Sequence, residues 1–151
     1  MTDYVKNRGI DPTTKRVTRV AANLPQTTQT AYFTVSGGRV RITDIQGEVT
    51  TVIQAQLNNM QLISNPTVGA DVDLCAVVDI NGDAVGTMYN ITGTLADAIV
   101  ATTSGAMKSQ ADGVTVTAGT IDLDCSASST GQTKWVLHYI PIDAGAYVTA
   151  A

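Results

Sequence analysis

Aromatic residues are few in this 151-residue chain, which has one Trp, one Phe and five Tyr. Sugar-binding surfaces are usually built on exposed aromatic rings, so this scarcity argues against a carbohydrate-binding β-sandwich. Metal-ligating side chains are scarcer still: Cys75, Cys125 and His138 are the only cysteines and histidine. Two thiols and one imidazole do not complete a structural zinc set, and neither a metal nor a cofactor is expected. The two cysteines could form one disulfide if their strands are neighbours. A cytoplasmic origin favours two reduced, half-buried thiols. No apolar run reaches the ~18 residues that suggest a membrane span. The N-terminus also lacks the positive-then-apolar order of a secretory signal. The chain therefore reads as made in a cytoplasm, with no membrane partner.

Patterns that carry chemistry are equally sparse. His138 has no nucleophile elbow or recognisable family spacing around it and reads as a packed or hydrogen-bonded strand residue. Gly37-Gly38 lacks the helix and the Lys-Ser/Thr pair of a phosphate-binding loop. Asp79-Ile80-Asn81-Gly82-Asp83 offers alternating oxygen ligands, but its glycine comes too early for an EF-hand and strands flank it, so it reads as a hairpin turn. Asp71 with Asp73, and Asp122 with Asp124, are weaker versions of the same idea. Asn90-Ile91-Thr92 fits the glycosylation pattern, which without a secretion signal carries nothing. No enzyme activity is expected; an unrecognised hydrolase is a remaining alternative.

Charge is where the sequence speaks. Lys6, Arg8, Lys15, Arg16, Arg19, Arg39 and Arg41 against Asp3 and Asp11 give +5 up to residue 41. Beyond it, Lys108 and Lys134 against eleven carboxylates give −9, and the two sum to −4. An acidic body repels phosphates, so no nucleic acid partner is expected. The basic segment could meet phosphate or an acidic protein surface, another copy of this body included. A solvated terminus is the plainer reading.

Residues 1–30 show turn clusters and no sustained period, which predicts an extended basic N-terminal arm. From Ala31 onward, short alternating runs of β-branched residues predict a single all-β domain over 31–151, an antiparallel β-sandwich or jelly-roll-like barrel of eight or nine strands. Ala31–Ser36 and Arg39–Ile45 flank Gly37-Gly38 and read as a hairpin, with Arg39 and Arg41 facing outward and a bulge near Asp44. Glu48–Leu57 reads as a long strand with Met60–Ile63 returning beside it. Leu74–Ile80, Asn81-Gly82 and Val85–Ile91 read as a second hairpin. Ile121, Leu123 and Cys125 share a buried face, which aims Asp122 and Asp124 at water or a partner. Lys134–Ile142 is apolar on both parities and reads as a central or interface strand, which makes Trp135, Leu137 and Tyr139 candidates for a subunit interface. Thr94–Asp97 resembles a capping box and predicts at most two turns of helix.

Several blocks carry a family resemblance: Phe33-Thr34-Val35-Ser36-Gly37-Gly38-Arg39-Val40, Gly47–Gln56, Asn65-Pro66-Thr67, Asp73-Leu74-Cys75-Ala76, Gly86–Gly93 and Lys134–Pro141. Across roughly residues 31–151 the chain resembles small virion structural proteins of tailed bacteriophages. The resemblance implies a capsid decoration or cement protein on the capsid surface, commonly a homotrimer, with the major capsid protein as partner. A tail, connector or head-fibre component is the alternative within that class. The arm residues Lys6, Arg8, Lys15, Arg16 and Arg19, with Arg39 and Arg41, are the expected docking set. Deleting residues 2–28 is then expected to leave a folded body that no longer binds particles.

Overall fold

In the computed structural model, which describes residues 14–151, the alternating runs form strands only. In chain order these are β1 (Lys15–Asn23), β2 (Gln29–Ser36), β3 (Val40–Thr51), β4 (Asn59–Pro66), β5 (Val72–Asp73), β6 (Val78–Asp79), β7 (Met88–Asn90), β8 (Val100–Thr102), β9 (Val114–Val116), β10 (Gly119–Cys125), β11 (Gln132–Pro141) and β12 (Tyr147–Ala150). Sheet A runs β1-β11-β3-β7-β8 with β9 also on β3, and sheet B runs β12-β2-β10-β4-β5 with β6 also on β4. Every ladder pairing is antiparallel. The two sheets pack as a β-sandwich.

The core lies between them and draws on both: Ile42, Ile45, Val49, Tyr89, Trp135 and Leu137 from sheet A, and Tyr32, Phe33, Met60, Leu62, Ile121 and Leu123 from sheet B. Each buried large side chain contributes roughly 1.5–3 kcal/mol by leaving water. On β3 the inward set changes parity, from Val40 and Ile42 to Ile45 and Val49. Opposite it, Asp44 pairs with His138 and Ile42 with Tyr139, so Thr43 is the extra residue of a bulge, one position from where the pattern placed it.

Other pairings differ from the local reading. β3 runs unbroken through Gly47, where two separate strands had been expected. Gly47 interrupts the apolar pattern because the Trp135 ring occupies the space of its missing side chain. After Thr51 the chain leaves the sheet, so Leu57 is exposed and not part of a long strand. Gly37-Gly38 does not close a hairpin: β2 and β3 lie in different sheets, and the pair makes the corner between them. There Gly37 has φ 78°, and a Cβ on it would lie 2.5 Å from the Gly145 carbonyl oxygen. Likewise β4 pairs with β10 instead of β3, and the turn at Asn81-Gly82 leads to β7, which pairs with β3 in the other sheet.

The expected helix is a single turn. Asp97 N–H donates to the Thr94 carbonyl at 3.0 Å, but the next backbone groups pair with Ala76: its N–H donates to the Asp97 carbonyl at 2.8 Å and its carbonyl accepts from Ile99 at 3.3 Å. A tertiary bridge takes the groups that a helix would have used.

The boundary expected at residue 30 also moves. Lys15–Asn23 is extended, as expected of the arm, but it is an edge strand of the body, laddered from Lys15 opposite Tyr139 to Asn23 opposite Gln132. Leu24 follows into the core at 2% exposure. The stretch before Thr14 lies outside the described residues.

Candidate docking surfaces

The strand order sorts the charges by sheet. Among the described residues, all five Lys and Arg on strands belong to sheet A: Lys15, Arg16 and Arg19 on β1, Arg41 on β3 and Lys134 on β11. With Asp44 and Glu48 the strands of sheet A sum to +3. Those of sheet B hold no Lys or Arg and carry Asp73, Asp79, Asp122 and Asp124, which sum to −4. The division at residue 41 thus becomes a division between the two layers of the sandwich.

Of the expected docking set, Lys6 and Arg8 lie outside the described residues. Arg16 is exposed on the outer face of β1, opposite His138. Arg41 is exposed on the outer face of β3, opposite Ile140. Ile140 and His138 lie between them, and a shallow groove of about 440 Å³ extends from Arg16 away from Arg41, over Thr18, Val136, Gln46, Glu48 and Lys134. Lys134 pairs with Glu48 at 3.2 Å.

Two of the expected cations have local work instead. Arg39 forms a two-pronged pair with Asp143, Nε to Oδ2 at 3.1 Å and Nη2 to Oδ1 at 2.9 Å. These hydrogen bonds hold the Asp143 carboxyl down at about 2. Arg19 turns inward, its guanidinium carbon 3.8 Å above the Tyr32 ring centroid, and its Nε and Nη1 are buried with no hydrogen-bond partner. It braces the β1 margin of the core more than it presents charge.

Trp135, Leu137 and Tyr139 are not an interface. They are 2%, 0% and 4% exposed and point into the sandwich. Arg19, Trp135, Gly47 and Tyr89 stand in register across four strands. Trp135 stacks on Tyr89 with ring centroids 6.2 Å apart and meets Tyr32 edge-on at 6.3 Å. The outward parity of β11 holds Lys134, Val136, His138 and Ile140. On a strand apolar on both parities, alternation shows two faces but not which one meets the other sheet.

Asp122 also departs from expectation. It is 3% exposed, its Oδ2 accepting from Gln29 at 2.8 Å and Asn65 at 3.1 Å. Asp124 is half-buried; burial first, and then the charge of Asp73, raise its carboxyl above the ordinary range. The paired spacing of Asp71 with Asp73, and of Asp122 with Asp124, was visible in the sequence. Only strand pairing brings the two pairs to one face.

The remaining candidates have structural uses. Asp79 Oδ1 accepts from the backbone N–H groups of Asn58 and Asn81, and Asp83 accepts from the Tyr89 hydroxyl. Among the described residues no three His, Cys, Asp or Glu side chains are placed to hold a metal ion. Asn90 is 3% exposed and donates to Asp44 and to the Lys108 carbonyl, so its amide is closed to glycosylation. Cys75 and Cys125 are free and buried, and burial pushes their thiols up to about 11 and about 12. His138 stands between Arg16 and Asp44 in register. Among the described aromatics only Tyr147, half-exposed at 50%, presents a large ring surface, which makes no sugar platform. Among the described residues, no helix is long and apolar enough to cross a membrane. The chain matches no family model, no curated protein and no solved structure.

Proposed function

We propose that this chain is a non-enzymatic virion structural protein, a decoration or cement protein that binds the outer shell of a phage capsid and bridges capsomers as a homotrimer. The observation that carries the reading is the charge polarity of the sandwich. A basic N-terminal sequence runs into β1, and β1 belongs to the sheet that holds every strand cation. The outer face of sheet A, with Arg41, then lies on an acidic shell surface, and the major capsid protein is the partner. Exposed ion pairs contribute only about 0–1 kcal/mol each. Repetition over many copies on one particle supplies the avidity that single contacts lack.

The test is occupancy on particles stripped of this protein. Deleting residues 2–13, or substituting Arg41→Glu, is expected to lower occupancy and to make the remainder more sensitive to salt. Full occupancy by both variants would remove the basis of the proposal.

A further inference from the structure

The outer face of sheet B gathers negative charge, and among the described residues its strands supply no cation to neutralise it. Register aligns Ala31, Asp122, Ile63 and Asp73 across β2, β10, β4 and β5. Asp124 lies beside them, and Asp71 comes in from the loop before β5. A single amide nitrogen, Gln29 Nε2, donates to Asp71 and to Asp122 at 2.8 Å each. The second oxygen of Asp122, Oδ1, is buried and receives no hydrogen bond. A buried carboxylate is stable when paired, and here no strand of the sheet supplies a cation. The same residues are not placed to hold a metal ion. Asp122 itself is closed to a partner, so the carboxylates open to a side-chain cation from outside are Asp71, Asp73 and Asp124.

We propose that this acidic face docks a second copy of this chain, which meets it with the basic edge strand β1, Arg16 foremost. The two surfaces are opposite in sign and lie at opposite margins of the sandwich. β1 runs beside β12 at one margin, whereas the carboxylates extend from β10 to β5 at the other. A copy therefore offers its β1 to a neighbour's carboxylates instead of its own. Such a contact joins two different patches and is heterologous, the kind from which rings are closed. Charged residues on β1 also disfavour simple strand addition at that edge, which leaves side-chain pairing as the mode of contact. The inference goes beyond the particle reading and is tested without particles.

The experiment is solution mass of the full chain by light scattering, at about 50 mM and about 500 mM salt, where screening differs strongly. Wild type is expected above its 15.7 kDa chain mass at low salt and to fall to it at high salt. Arg16→Glu alone, and Asp73→Lys with Asp124→Lys, are each expected to stay at 15.7 kDa with an unchanged circular dichroism spectrum. An equimolar mixture of the two is expected to associate again, because each restores the other's complement. Should the lysine pair disturb folding, Asp73→Asn with Asp124→Asn takes its place, and loss of wild-type association is the expected result. A wild type that is monomeric at low salt, a folded variant that keeps the wild-type mass, or a mixture that stays monomeric would overturn the proposal.

Discussion

A methyl group at Gly47 would come within 2.7 Å of three Trp135 ring carbons. The flexible end of a surface side chain could yield to such a contact. Trp135 cannot easily do so, because Tyr89 stacks on it and its Nε1 donates to Thr133 Oγ1 at 3.0 Å. Overpacking of this kind costs about 1–3 kcal/mol. Gly47→Ala is therefore expected to lower the midpoint of urea unfolding and to weaken the near-ultraviolet signal of the stacked rings. An unchanged midpoint would mean that the ring has room that the structure does not show. The same position illustrates what single residues conceal. The outward aim of Arg39 and Arg41 was readable from alternation, since Val40 and Ile42 fix the inner face. A lone glycine in a strand reads as a break, and the ring that requires it comes from a strand almost ninety positions away in sequence, at Trp135.

Strand β1 is the element whose role changed most. Its sequence, Lys15-Arg16-Val17-Thr18-Arg19-Val20, has the polarity of a solvated tail, and propensity alone does not show that β11 needs a neighbour. In the sandwich it covers one side of β11, lays Arg19 over Tyr32 and delivers Leu24 to the core. The two truncations are thus expected to differ. Deleting residues 2–13 should leave cooperative unfolding close to that of the full chain. Deleting 2–28 should lower stability and promote aggregation, because it bares the β11 edge and removes a core leucine. Equal unfolding midpoints for the two truncations would contradict the assignment of β1 to the body. Most strands were legible from their alternation, including the bulge beside Asp44, because period and burial are local. Partners were not legible: Gly37-Gly38 and Asn81-Gly82 carry hairpin chemistry, yet each connects strands in different sheets. Turn residues specify the conformation of a bend, while the sheet that receives the next strand is decided by which apolar faces must meet.

As a whole, the strands of one sheet sum to +3 and those of the other to −4. Arg19 turns inward and Lys134 pairs with Glu48, however, so the basic character of the outer face of sheet A rests on Arg16 and Arg41. A net charge of −4 hides this arrangement, and so does a linear tally along the chain. Opposed faces give the molecule a preferred orientation near any charged surface, with sheet A toward negative charge and sheet B away from it. They also allow copies held on one surface to meet side by side through unlike margins. The proposed function would use both properties, with the basic face on the shell and the unlike margins between neighbouring copies. The account is tested most directly by a reconstruction of a purified particle that carries this protein. Copies should lie on capsomers over the whole outer shell, sheet A against the shell and β1 of each copy facing the β5 margin of its neighbour. Copies confined to a single vertex or to the tail, or copies that present sheet B to the shell, would contradict it.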